Sequence, residues 1–305
     1  MPCRYQLIDA FTREAFSGNP AAVVYLEADD SRVGDATFML NVAREYNLQE
    51  TAFLVPLTAQ DDGDRSVPRY SLRWFTPVQE FPLCGHATLA SAHSLFSTEH
   101  PGATRLRFDT MSGTLEAEKL ADGRIELDFP ADVGVLDAAN KDELKSLRAM
   151  AELAIPGSSD AIKHIVLGKL GVIVQLDRNF DLQNATVDAI SLKSSSRYFI
   201  FTQAFEPKSS SIYSRVFDGA EACPEDPVTG SAHCMLAPYY LSPDSPGFTS
   251  LFPASSGTTR PLPDTLQARQ GGPRQGVLEV CWRREDGRVK LRGHAVTVMD
   301  GTLHA

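Results

Sequence analysis

The chain has 305 residues, enough for two ordinary domains, and its 43% hydrophobic content is ample for two cores, which excludes a disordered or fibrous protein. Acidic residues outnumber basic ones 39 to 29, and a formal net charge of -10 argues against a nucleic-acid backbone or an anionic membrane as the main partner. No apolar run approaches the roughly 18 to 20 residues of a membrane span, and Met1-Pro2-Cys3-Arg4 leads into strand-like sequence with no apolar signal core, so a cytoplasmic location is expected.

The first half reads as short strands with two helices among them. Residues 5–11 alternate as a strand, Ser17-Gly18-Asn19-Pro20 is turn chemistry, and residues 21–26 resume as a buried strand. From Ser31, read as an N-cap, Val33, Ala36, Met39, Leu40, Ala43 and Tyr46 recur at helical spacing as far as Asn47. Strands are predicted at 51–55, 69–75, 105–110, 115–119 and 124–129, with a second helix over 85–96. After Pro130 the pattern begins again, and the polar stretch 131–140 reads as a linker. A helix is predicted at 141–153, strands at 171–176, 197–202, 212–217, 265–269, 277–282 and 289–295, and a helix at 230–240. The Pro/Ser/Gly-rich stretch 242–263 reads as a long surface loop, an insertion or a lid.

The halves share a local echo. Cys84-Gly-His-Ala-Thr-Leu-Ala in one resembles Thr229-Gly-Ser-Ala-His-Cys-Met in the other, and placing Gly85 on Gly230 gives an offset of 145 residues. Each segment joins a glycine to an apolar helix, whose start leaves backbone N–H groups free. Two such ends facing one another would bind a small carboxylate; alternatively, both are helix starts packed tightly on strands.

Glu50 stands in Asn47-Leu-Gln-Glu-Thr51, where a helix gives way to an apolar strand. It is either a solvated strand-start glutamate or a buried carboxylate, whose pKa would rise toward the range useful for taking and returning a proton. Glu225-Asp-Pro-Val-Thr-Gly-Ser-Ala232 is dense in polar atoms; Pro227 favours an extended Asp226, and the Thr, Gly and Ser that follow can cap the next helix or bind a ligand. His86 is a first-turn helix residue or a pocket donor, and neither His86 nor His93 belongs to a metal-collecting spacing, so no metal is expected. The five cysteines, Cys3, Cys84, Cys223, Cys234 and Cys281, are odd in number and scattered, which suits reduced thiols. Phosphate loops and a Gly-x-Ser-x-Gly elbow are missing, which removes the commonest nucleotide and serine-hydrolase signatures.

Five segments together resemble the phenazine biosynthesis-like PhzF family, within the broader diaminopimelate-epimerase-like fold. They are Phe16-Ser-Gly-Asn-Pro-Ala-Ala-Val-Val24, Asn47-Leu-Gln-Glu-Thr51, Arg73-Trp-Phe-Thr-Pro77, Glu80-Phe-Pro-Leu-Cys-Gly-His-Ala-Thr-Leu-Ala90 and Glu225-Asp-Pro-Val-Thr-Gly-Ser-Ala232. The resemblance implies an α+β fold of two similar strand-rich, barrel-like domains, each wrapped on a central helix, with the active site in the interdomain cleft. The expected domains are 1–130, completed by the last residues from about 296 to 305, and 131–295. Glu50 maps on the family's acid/base. Asn19, Gly85, His86, Asp226, Thr229, Gly230 and Ser231 map on substrate-binding positions. No cofactor is implied, the substrate is a small carboxylate, and a homodimer is the usual assembly. Gln49 stands where many members have Ser, and with the 242–263 loop this departure bears on the substrate rather than the chemistry.

The function expected from these readings is a cofactor-independent isomerase that moves a proton through Glu50. A two-thiol racemase or epimerase of the same fold would need a cysteine before each helix glycine, and the chain supplies Cys84 before Gly85 but Thr229 before Gly230. A third reading is a binding or interaction module without turnover.

Overall fold

The computed structural model describes residues 2–57, 66–134, 141–169, 171–195, 197–206, 210–218, 225–253 and 262–305. The chain forms two compact units: Met1–Asp128 joined by Arg292–Ala305, and Phe129–Leu291. Among the described residues no helix is long and apolar enough to cross a membrane.

Unit 1 runs β1 (Cys3–Ala10), β2 (Asn19–Tyr25), α1 (Ala36–Tyr46), β3 (Glu50–Pro56), β4 (Arg69–Phe75), β5 (Glu80–Phe81), α2 (Gly85–Ser97), β6 (Arg105–Thr110), β7 (Gly113–Lys119) and β8 (Ile125–Pro130). Unit 2 runs α3 (Lys141–Ala154), β9 (Ile162–Leu167), β10 (Gly171–Leu176), a 3-10 turn (Ala189–Leu192), β11 (Tyr198–Glu206), β12 (Ser211–Phe217), β13 (Glu225–Asp226), α4 (Gly230–Leu241), α5 (Pro246–Leu251), β14 (Thr265–Gln270), β15 (Gly276–Arg283) and β16 (Arg288–Gly293). The last strand, β17 (Ala295–Leu303), returns to unit 1 and pairs antiparallel with β1.

The pairing scheme is written twice. In unit 1, β1–β2 is antiparallel, β2–β3 parallel, β3–β4 antiparallel, β4–β5 a short antiparallel pair, β4–β6 parallel and β6–β7 antiparallel. In unit 2, β9–β10, β10–β11, β11–β12, β12–β13, β12–β14 and β14–β15 repeat that order of senses. A parallel pair needs a crossover connection, and the crossovers from β4 to β6 and from β12 to β14 carry α2 and α4. Both helices are apolar almost all round and buried along nearly their whole length, the pattern of a helix enclosed by its own sheet. Helix α2 packs on β1, β2, β3, β7 and β17, and α4 on β10, β14 and β15.

On the other side of the unit 1 sheet, Met39, Val42 and Ala43 of amphipathic α1 pack with Val24, Phe53, Val55 and Phe75. In unit 2, Leu147, Ala151 and Ala154 of α3 lie with Val172, Val174, Phe199, Phe201 and Phe217.

Several boundaries differ from the sequence reading. The N-cap of α1 is Asp35, not Ser31: its carboxylate accepts from the N–H groups of Thr37 and Phe38 at 2.9 and 3.0 Å. Gly34, at φ +89°, breaks the helical path before it. The 242–263 loop contains the short α5, capped by Ser245 and anchored by buried Gly247 and Leu251; residues 254–261 lie outside those described. The 289–295 strand ends at Gly293 as β16; His294, whose carbonyl accepts from Thr12 N–H at 3.1 Å, separates it from β17, of which the expected strand held only Ala295. The start of the expected linker is held in place, because Ala131 N–H donates to Gly287 O and Asp132 N–H to Cys234 O; residues 135–140 are not among those described. Strands β5, β9 and β13 were unpredicted, two of them being only two residues long.

Candidate active site

Glu50 opens β3 and is 6% exposed. The local cause is in the chain before it. Asn47 ends α1 in the left-handed conformation (φ 49°), its N–H donating to Ala43 O, and asparagine is second only to glycine in tolerating that cap. The reversal delivers Glu50 to the sheet three residues later, beside Ala21 of β2 in parallel register. Two residues before Ala21, Asn19 begins β2 and is completely buried.

The turn before Asn19 is tightly determined. Gly18 has φ +66°, and a Cβ there would lie 2.2 Å from the Ala10 carbonyl oxygen. The buried Asp9 carboxylate accepts the Phe16 N–H at 2.7 Å, holding Phe16 at φ +68°. A bulky residue at positive φ persists only where its surroundings over-determine it.

The register brings a third element to the same end of the sheet. Thr51, next to Glu50, faces Phe75, the last residue of β4, and Phe75 faces Glu80 of β5. Helix α2 begins four residues after β5, at Gly85. Its N-cap, Cys84, supplies no side-chain capping bond. Cys84 Sγ lies 3.4 Å from His86 Nδ1, and among the described residues His86 Nε2 has no hydrogen-bond partner. Burial lowers the His86 pKa to about 3, so the imidazole is neutral at pH 7.

In unit 2, Asp226 and Thr229 are knotted together at the start of α4, directly before Gly230 and Ser231. Thr229 occupies the N-cap, but its hydroxyl donates to Asp226 Oδ2 at 2.6 Å instead of capping the helix. Thus Thr229 caps by position only, against the capping expected from its type. Gln270, fully buried, locks the arrangement: its Nε2 donates to Asp226 O at 2.8 Å and to Thr229 Oγ1 at 2.9 Å, and its Oε1 accepts from Thr229 N–H at 3.0 Å. Gln270 was not singled out in the sequence, because it lies 41 residues beyond Thr229 on β14 and only the parallel β12–β14 pairing brings it back. Ser231 Oγ accepts a longer bond from Tyr198 Oη at 3.3 Å.

The 145-residue echo extends into side-chain bonding. Thr88 Oγ1 donates to Cys84 O, and at the matching position His233 Nδ1 meets Thr229 O at 2.8 Å. A carbonyl only accepts, so His233 carries its proton on Nδ1, and Nε2 is a buried acceptor with no partner among the described residues. Burial lowers its pKa to about 4, against a smaller opposing effect of the Thr229 carbonyl. Of the five cysteines, Cys3, Cys84 and Cys234 are buried and Cys281 is partly exposed, none of these four in a disulfide; Cys223 lies outside the described residues.

A family model described as phenazine biosynthesis-like protein matches residues 8–301. The chain is 37% identical over 311 residues to phenazine biosynthesis-like domain-containing protein 2 of Mus musculus, with 98% of each chain covered. It is 36% identical over 299 residues to an uncharacterized isomerase of Halalkalibacterium halodurans, with 97% of each covered. Among solved structures it is similar to a PhzF-family phenazine biosynthesis protein from Enterococcus faecalis, at 32% identity and a TM-score of 0.78 over the whole of both chains. A hydroxyproline epimerase from Agrobacterium vitis shares the fold at 11% identity and a TM-score of 0.55, with 99% of this chain and 91% of that one covered.

Proposed function

Because the chain belongs to the phenazine biosynthesis-like (PhzF) family, we propose that it is a cofactor-independent isomerase acting on a small carboxylic acid. Glu50 takes a proton from an activated carbon, the electron pair shifts through the adjacent double bond, and the protonated Glu50 returns the proton to the carbon at its far end. The observation that carries this reading is the burial of the Glu50 carboxylate at the first residue of β3, in register with the start of β2. A carboxylate screened from bulk water there can pass a proton to and from a bound carbon without losing it to solvent. Asn19, Gly85, His86, Asp226, Thr229, Gly230 and Ser231 are the proposed binding groups, with uncapped helix N–H groups and neutral His86 stabilising negative charge as it develops. A two-thiol racemase is disfavoured by Thr229, whose hydroxyl is committed to Asp226 in the place of a second thiol.

The test begins with small carboxylic acids screened by thermal shift, since a ligand that binds only the native state raises its stability. Turnover of a hit in heavy water is then followed by NMR for wild type and Glu50→Gln. The expected result is a shifted double bond labelled on one face, and a loss on the order of a hundredfold or more in the variant. Full activity of Glu50→Gln, or inversion at one carbon with complete solvent label there, would refute the proposal.

A further inference from the structure

Five residues before each helix glycine stands a glutamate, Glu80 before Gly85 and Glu225 before Gly230, and each forms a bidentate pair with an arginine. Arg73 Nε and Nη2 donate to the two Glu80 oxygens at 2.7 and 2.8 Å. Arg215 Nε and Nη2 donate to those of Glu225 at 2.7 Å each. The surroundings repeat as well. The arginine lies two residues before a phenylalanine, Phe75 or Phe217, which faces the glutamate across the sheet. The guanidinium sits over that ring, 5.2 Å from its centre in unit 1 and 5.1 Å in unit 2. In unit 2 Arg215 also reaches the carbonyls of Leu182 and Ala185.

We propose that these two clamps are positioning pairs that set where each central helix begins, and hence where Cys84 to His86 and Asp226 to Ser231 stand. The proposal rests on the reading of those residues as binding groups. Strands β5 and β13 have two residues each, too few to hold their register by backbone bonds alone. Both helices then start without a capping side chain. The charged fork on the glutamate, a geometry that arginine matches to carboxylate in two bonds, fixes where each approach begins; in unit 2 Gln270 then ties Asp226 to Thr229 farther along it. The partly exposed pair of unit 1 adds little to net stability, and in the largely buried pair of unit 2 the cost of desolvation offsets the attraction, so the same pair at the same place in both units is better explained by the geometry it imposes. Gly272 supports the assignment: a Cβ there would lie 2.9 Å from both Glu225 carboxylate oxygens and 3.0 Å from Arg215 Nη2. Its φ is ordinary, so space for the clamp, rather than backbone freedom, is what a side chain at 272 would remove.

The experiment compares Glu80→Gln, Glu225→Gln and Gly272→Ala with wild type. Gly272→Ala keeps both charges and displaces only the unit 2 clamp. Hydrogen exchange is read at the amides of Thr88 to Ser91 and of His233 to Leu236, the first to bond back into α2 and α4, with β3 and β11 as references. In Glu225→Gln and Gly272→Ala, exchange at His233 to Leu236 is expected to rise about tenfold while Thr88 to Ser91 and the reference strands stay unchanged; Glu80→Gln gives the mirror result. Unchanged exchange at the clamped helix, or a rise shared by helix and reference strands, overturns the proposal. A separate titration with sodium acetate, followed at the amides of Gly85 to Ala87 and Gly230 to Ala232, distinguishes the two readings. Loss of acetate response at α4 alone in Glu225→Gln supports the clamp. Absence of any response in wild type counts against the helix starts as carboxylate-binding groups, while the exchange result still decides the clamp.

Discussion

His86, His93 and His233 are the groups whose protonation this fold most strongly opposes, and the effect of the two central-helix starts, His86 and His233, on stability can be worked out from the structure. Burial holds His86 at about 3 and His233 at about 4, against an ordinary 6.5. A histidine with a lowered pKa takes its proton more readily in the unfolded chain. The stability it contributes is therefore complete above pH 6.5 and is lost as pH falls toward the folded value. At pH 5 each unfolded imidazole is almost wholly protonated and each native one almost wholly neutral, a difference of about 2 kcal/mol per histidine, or about 4 kcal/mol for the two. That is a large share of the roughly 5 to 15 kcal/mol that holds a domain together. Carboxylates whose pKa is lowered, such as Glu116 and Asp177, release their contribution only below about pH 4.5 and stay out of the window. Burial also lowers His93, His164 and His294, which steepens the wild-type curve but cancels when a variant is subtracted from it. Urea unfolding between pH 5 and 7.5 is the assay, with His86→Asn and His233→Gln as variants that cannot titrate. Each is expected to flatten the acid limb by about 2 kcal/mol at pH 5 relative to pH 7.5. A wild-type stability that stays level across this range, or equal slopes in wild type and both variants, would refute the burial argument.

Cys84→Ser is expected to keep most activity on an identified substrate, because the thiol has Thr229 and not cysteine as its counterpart; near-complete inactivation, read as kcat, would restore the two-thiol mechanism. Gly18→Ala is expected to cost about 2 to 5 kcal/mol, the sum of a left-handed alanine and the parting of β1 from β2 that a 2.2 Å contact with Ala10 O demands. Thermal unfolding measures it, and a midpoint within about 2 °C of wild type would contradict the geometry.

Where single residues carried the information, the sequence was legible. The strands at 69–75, 105–110 and 171–176 match to the residue, because turn residues flank an apolar alternation in the first two and a short, continuously buried run in the third. Both central helices were found from their glycines, Gly85 and Gly230. Where the deciding partner is distant in the chain, the reading stopped short. The two-residue β5 and β13 have no periodicity to detect, and they exist because Phe75 and Phe217 offer them an edge. Ser31 looks as good a cap as Asp35; the choice fell to the residue behind the turn at Gly34.

The family, the doubled organisation and Glu50 as a carboxylate at a helix-to-strand junction are each written in contiguous motifs whose local chemistry needs no partner elsewhere. Tertiary structure alone decided that Thr229 surrenders its capping hydroxyl to Asp226, that Gln270 returns along β14 to lock them, and that Glu80 and Glu225 each find an arginine. Those bonds join residues whose separation along the chain carries no period. They form only when strand register places two polar groups within about 3 Å in a setting that excludes competing water.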